Sequence, residues 1–267
     1  MKKSKPIGVF DSGVGGLSVC HAIRRALPAE DLVYVADVEY SPYGNKSRKL
    51  LQERSNYIVN FLISQGCKAI VVACNTATVN SISGLRSKYS IPFIGVEPGI
   101  KPGVLLSKTG VIGVLATEQT LKSDSFKALK CRHSENVRIE TAACPEFVSL
   151  VESLQHNTEE AFDVARQYIR PLLSEGCDQI VLGCTHFSFL RSTIDSVVDG
   201  NANIIDTATP VAGELSRRLQ GFDSLNNPDN VSKTHFWTSG EPEEVMRAMS
   251  VLWGEEITVS KMLRNAL

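Results

Sequence analysis

The sequence predicts an α/β fold made of two pseudo-symmetric, doubly wound domains with mainly parallel sheets and a functional cleft between them. Three observations carry this reading. Short β-branched runs alternate with amphipathic helical patterns, the signature of β-α-β units. The strand candidates are continuous apolar runs, as strands covered on both faces of a parallel sheet require. The chain also repeats itself. "SQGCKAIVVAC" (64–74) and "SEGCDQIVLGC" (174–184) share Ser64/Ser174, Gly66/Gly176, Cys67/Cys177, Ile70/Ile180, Val71/Val181 and Cys74/Cys184 at an offset of 110. "IGVFDSGVGGLS" (7–18) echoes "IGVLATEQTLKS" (112–123) at an offset of 105.

In chain order, strands are expected at 7–10, 32–37, 69–74, 93–97, 111–117, 138–143, 179–184, 203–207 and 235–239. A helix from about 47 to 64 aligns Leu51, Ile58 and Leu62 on one face. Asn157 followed by Glu160 predicts a helix N-cap. That helix should bury Ala161, Ala165, Tyr168 and Leu172 and stop at Gly176, with a kink at Pro171. Pro98, Gly99, Pro102 and Gly103 punctuate the chain between the two halves. The first domain is expected to take 1–97 and 207–267, because the last strand and helix (about 235–253) return to it; the second takes 98–206. The polar segment 220–230 reads as a surface loop.

Composition narrows the function classes. The chain has 267 residues, with 43% hydrophobic and 21% charged, enough for substantial cores. A net charge of −1 and the lack of a basic face argue against nucleic acid. The N-terminal lysines precede no apolar h-region, and no membrane span is evident, so the cytoplasm is the expected compartment. Seven cysteines without dense spacing are expected to be free thiols there.

Ligands of open α/β sheets sit beyond the C-terminal ends of the strands. Asp11, Ser12, Cys74, Asn75, Thr76, Thr117, Cys184, Thr185 and His186 all follow strand candidates, so facing halves would gather them. One cysteine on each side of a cleft suits removal of a proton from one face of a carbon and return of a proton to the other. A thiolate can serve as general base and the opposite thiol as general acid. Each cysteine is expected to precede a helix whose N-terminal N–H groups favour the thiolate. "DSGVGG" (11–16) opens a helix and could receive a carboxylate. "SPYG" (41–44) offers backbone donors and the Tyr43 hydroxyl, and Asp11 could meet an ammonium group. Cys67 and Cys177 precede their strands and read as structural.

The blocks "FDSGVGGLSV", "PYG", "ACNTAT", "GVEPGIKP", "LATEQTLKS" and "LGCTHF" resemble, in order and over nearly the whole chain, those of the glutamate racemases within the aspartate/glutamate racemase family. Phe187 and Ser188 stand where that family more often has Tyr-Pro. The resemblance implies cofactor-independent, metal-free interconversion of L- and D-glutamate by a two-base mechanism, supplying D-glutamate for peptidoglycan. It implies Cys74 as the base for D-glutamate and Cys184 as the base for L-glutamate. Asp11 matches the acid beside the first thiol, His186 the imidazole beside the second, and Glu152 the acid near that histidine. Ser12, Tyr43, Gly44, Asn75, Thr76, Thr120 and Thr185 match substrate-contacting positions, as do Asp11 and His186. Some relatives are activated by a cell-wall precursor, and the architecture predicts a homodimer.

Several other readings use the same residues. Cys74, Cys184 and His186 could be three zinc ligands, but no CxxC pair or HxxxH helix completes a site. A non-catalytic binding protein for a small acid would need the cleft and not two thiols. A thiol–disulfide switch would bring the two sulfurs into bonding contact. A racemase for aspartate or another amino acid is the nearest competitor within the enzyme class.

Overall fold

The apolar runs do pair as parallel strands in the computed structural model, which describes residues 3–133 and 137–262. Ten strands follow in chain order: β1 (Ile7–Asp11), β2 (Leu32–Ala36), β3 (Ala69–Val72), β4 (Phe93–Gly95), β5 (Val111–Ala116), β6 (Arg138–Ala143), β7 (Gln179–Leu182), β8 (Asn203–Ile205), β9 (Thr234–Thr238) and β10 (Val259–Lys261). They form a six-stranded sheet in the order β10-β9-β2-β1-β3-β4 and a four-stranded sheet in the order β6-β5-β7-β8. Every recorded pairing is parallel. Strand β9 therefore lies against β2 in the first sheet. The short β10 carries no apolar run, so nothing in its sequence marks it as a strand.

The two sequence echoes coincide in the sheet register. Ile7 pairs with Ala69 and Gly8 with Ile70. Their echoes at offsets 105 and 110, Ile112 with Gln179 and Gly113 with Ile180, pair in the same way. In each sheet the chain leaves a central strand, β1 or β5, runs to one side, and returns on the other as β3 or β7. That reversal opens a crevice at the strand ends. Cys74 and Cys184 lie two residues beyond β3 and β7, at the mouths of these crevices.

Helices cover the sheets. The first part carries α1 (Leu17–Ala26), α2 (Arg48–Ser64), α3 (Asn75–Lys88) and α4 (Ile100–Leu106). The middle carries α5 (Glu118–Lys122), α6 (Asp124–His133), α7 (Pro145–Glu152), α8 (Glu159–Ser174) and α9 (Arg191–Val198); α10 (Ala208–Gly221) and α11 (Pro242–Trp253) follow. Helix α2 buries Leu51, Ile58 and Leu62 as expected, and also Arg54 and Ser55. The N-cap of α8 is Thr158, not Asn157: the Thr158 hydroxyl accepts the Ala161 N–H at 3.2 Å, while the Asn157 side chain accepts from Ser192. The α8 face buries Ile169; Tyr168 is half-buried, with its hydroxyl donating to Glu146.

One apolar cluster runs from Ile7 and Tyr34 through Leu17 and Leu215 to Phe147 and Ile180, so the two sheets share a continuous core. The 220–230 segment is anchored and not merely a surface loop. Ser224 is buried and its carbonyl accepts from Lys68 Nζ at 2.8 Å, while Lys68 pairs with buried Glu30 at 2.6 Å. Glu30 in turn accepts the Asn226 N–H. Among the described residues, no helix is long and apolar enough to cross a membrane.

Candidate active site

Strand β1 ends on Asp11, which is fully buried. Its Oδ2 accepts the Gly16 N–H at 2.7 Å as the chain turns into α1, and its Oδ1 has no hydrogen-bond partner within the chain. Burial raises the Asp11 pKa above the ordinary carboxylate value; the His186 charge and the N–H groups of Gly16 and Ser12 offset this only in part.

Beyond β3, Cys74 is the N-cap of α3 and its sulfur accepts the Ala77 N–H at 3.4 Å. The thiol points to Ser12 Oγ at 3.8 Å. Here the thiolate expectation needs correction. Burial and the negative charge of Asp11 push the Cys74 pKa well above the usual thiol value, and a single helix N–H does not offset them. Negative charge on Cys184 raises it further. Asn75 follows on α3, 2% exposed, and neither its amide nitrogen nor its oxygen has a partner within the chain. Leaving such a group unpaired costs about 1–3 kcal/mol, so this amide is equipped for a polar ligand.

The two halves meet at three hydroxyls. Thr76 Oγ1 lies 2.9 Å from Thr117 Oγ1 and 3.2 Å from Thr120 Oγ1, and the latter two are 3.0 Å apart. Gly44 packs on the same spot: a Cβ there would stand 3.1 Å from Thr117 Cβ.

Beyond β7, Cys184 opens a 3-10 turn, Thr185–Leu190, and not an α-helix. Its sulfur lies 3.8 Å from His186 Nδ1, and His186 Nε2 lies 2.7 Å from Glu152 Oε1 at the end of α7. The same carboxylate oxygen accepts the Val14 N–H at 3.3 Å, which joins this chain of groups to the "DSGVGG" turn. Burial works against a charged His186. Its hydrogen bonds with Cys184 and Glu152, and their negative charge, outweigh burial and hold the imidazole well above the usual histidine value. Burial likewise works against a charged Glu152, yet His186 and the Val14 N–H hold its carboxyl below the usual range.

The structure thus gathers Asp11, Ser12, Cys74, Asn75, Thr76, Thr120, Cys184, Thr185, His186 and Glu152 at the facing strand ends, nearly all of them buried. Tyr43 is also buried, but its hydroxyl is engaged: it donates to Asp37 at 2.5 Å. Arg54 grips the same Asp37 with a two-pronged pair at 2.6 and 3.0 Å. Sequence reasoning passed over both. The strand-end rule points to Asp37, which follows β2 and donates its N–H to the Asp11 carbonyl. Arg54 sits on the buried face of α2 between Leu51 and Ile58.

None of the seven cysteines is in a disulfide, Cys74 and Cys184 included. Among the described residues, no group of three or more His, Cys, Asp or Glu is arranged to hold a metal ion. Cys67 and Cys177 are buried, which pushes their thiols up to about 12 and about 11.

The chain is similar to known racemases over most of its length. Residues 7–214 match the profile of the Asp/Glu/Hydantoin racemase family. A glutamate racemase of Methylococcus capsulatus is 47% identical over 248 residues, which cover 93% of this chain and 92% of that protein. The solved glutamate racemase isoform RacE1 from Bacillus anthracis has a TM-score of 0.90 at 35% identity, covering 99% of this chain and 100% of its own. The Escherichia coli glutamate racemase, solved with L-glutamate and the activator UDP-MurNAc-ala, has a TM-score of 0.83 at 32% identity, covering 97% and 98%.

Proposed function

The chain belongs to the Asp/Glu/Hydantoin racemase family, and on that premise we propose that it interconverts L- and D-glutamate with two thiols and no cofactor. The observation that carries this reading is the pair of register-equivalent cysteines, one per sheet, each beside its own acid–base partner.

In the L to D direction, the Cys184 sulfur takes the α-proton from one face of the carbon. The Cys74 thiol gives its proton to the other face. Product leaves Cys184 protonated and Cys74 as thiolate, and the D to L reaction runs the same steps backward. The resting arrangement suits the first direction: Cys74 is held neutral as a proton donor, and a charged His186 faces the sulfur that must bear negative charge. Asp11, beside Cys74 with a free carboxylate oxygen, receives the ammonium group or assists the thiol. The Asn75 amide, Thr76 and Thr185 hold the carboxylates, with Ser12, Tyr43, Gly44 and Thr120 shaping the same pocket.

The sulfur-bearing residues are only 6% and 9% exposed, so the domains, 1–97 with 207–267 and 98–206, must part to admit substrate. D-glutamate made this way supplies peptidoglycan synthesis in the cytoplasm. A cell-wall precursor as activator fits the same reading, since the Escherichia coli relative was solved with one; so does a homodimer. The test is direct. Purified protein given L-glutamate alone should drive its optical rotation to zero, and an unchanged rotation would refute the activity.

A further inference from the structure

Strand β2 is buried along its whole length, yet it carries a phenol where a phenyl ring would pack as well. Tyr34 is fully buried, pairs in register with Val9 and Phe236, and lies edge-on to the Phe236 ring with centroids 6.3 Å apart. A buried hydroxyl is costly unless it is hydrogen-bonded. This one donates to the Gly13 carbonyl at 2.6 Å, and a Cβ on Gly16 would stand 3.1 Å from it. Burial, with the negative charge of Asp11, Cys20, Glu152 and Cys74, holds the phenol pKa well above its usual value, so the hydroxyl stays a neutral donor.

The Gly13 carbonyl and the Val14 N–H belong to one trans peptide group, which points them in opposite directions. The Val14 N–H donates to Glu152 Oε1 at 3.3 Å, from the turn after β1 to the end of α7. Glycine at position 13 gives this peptide little restraint of its own. A hydrogen bond accepted by the carbonyl also strengthens the one that the N–H donates.

We propose that Tyr34 is a positioning residue: its hydroxyl fixes the plane of the Gly13–Val14 peptide and so aims the Val14 N–H at Glu152, which lies 2.7 Å from His186. Tyr34 touches no reacting atom. Its effect on turnover rests on the two-thiol reaction proposed above; its effect on Glu152 does not.

Tyr34→Phe tests this, because it removes the hydroxyl and keeps the ring. Against burial, His186 and the Val14 N–H hold the Glu152 carboxyl below its usual range. Losing the aimed N–H takes a donor from the charged form. The carboxyl carbon of Glu152, followed by NMR without substrate, should therefore titrate at higher pH than in wild type. Turnover of glutamate should fall by roughly 10- to 10²-fold, with KM little changed. In a Glu152→Ala background, Tyr34→Phe should cost almost nothing further. Tyr34→p-aminophenylalanine keeps a donor on the ring and should retain the wild-type titration and rate. An unchanged Glu152 titration in Tyr34→Phe would overturn the positioning role. So would a full additional loss of rate in the Glu152→Ala background, or a p-aminophenylalanine variant that behaves like Tyr34→Phe. Wild-type protein that leaves glutamate unracemised would instead overturn the activity, and the Glu152 titration would still decide the role of Tyr34.

Discussion

Gly15 and His186 are fitted to one another: a Cβ on Gly15 would stand 2.3 Å from His186 Nδ1 and 2.6 Å from its Cγ. Gly13 is fitted to Glu152 in the same way, with a Cβ 2.0 Å from Oε1. The glycines of "DSGVGG" thus leave room for the imidazole–carboxylate pair. Gly15→Ala should push the ring away from Cys184. We expect turnover to fall by roughly 10²- to 10⁴-fold, with overpacking costing about 1–3 kcal/mol. Steady-state kinetics with a thermal melt checks both, and wild-type turnover would mean that the ring position is not required.

That contact was not legible in the sequence, whereas much else was. Nine of the ten strands among the described residues were marked: β1, β3 and β7 are buried along their whole length, which writes itself into composition as apolar runs, while β6, β8 and β9 are partly exposed. The duplicated cysteines marked the crevices, because a doubled strand carries its C-terminal end with it. Gly13 and Gly15 read as turn residues because their partners, Glu152 and His186, are distant in sequence. The Asp37–Arg54 pair was missed for a related reason. A buried arginine is invisible in a helical pattern that otherwise reads apolar. The thiolate expectation for Cys74 failed because a helix N-terminus can be counted from sequence and desolvation cannot.

Asp11 should trade stability for activity. Its folded-state pKa is raised above the unfolded value, mainly by burial. The sign is that of a group bound more tightly to its proton in the fold: the benefit exists below the unfolded pKa and is lost as pH rises through the folded one. At neutral pH the buried carboxylate therefore destabilises the protein. Asp11→Asn should raise the melting temperature at neutral pH, with the gain shrinking as pH falls toward the ordinary aspartate range. Turnover should drop by roughly 10- to 10⁴-fold. Melts across the pH series decide it; a mutant less stable than wild type at neutral pH contradicts the assignment.

Arg54 should act on substrate binding without touching substrate. Its guanidinium holds Asp37 and lies 3.8 Å from the Tyr40 ring centroid and 4.8 Å from that of Tyr57. Asp37 holds Tyr43, and the adjacent Gly44 meets Thr117 across the cleft. Arg54→Lys keeps the charge but loses the planar fork, so KM for glutamate should rise more than kcat falls. Arg54→Met strands a buried carboxylate and should cost about 3–5 kcal/mol of stability. Unchanged KM in Arg54→Lys would separate this cluster from the site.

The central claim is that Cys74 and Cys184 serve opposite faces of one carbon. It is tested most directly by following L-glutamate with the wild-type protein in D₂O, using the α-proton signal of each enantiomer. Thiols exchange their protons with solvent, so the acid that completes the product carries deuterium. The D-glutamate formed should contain solvent deuterium from the first turnovers, while the remaining L-glutamate initially keeps its proton. Deuterium entering both enantiomers together from the start, or D-glutamate that retains the original proton, would contradict the two-thiol account.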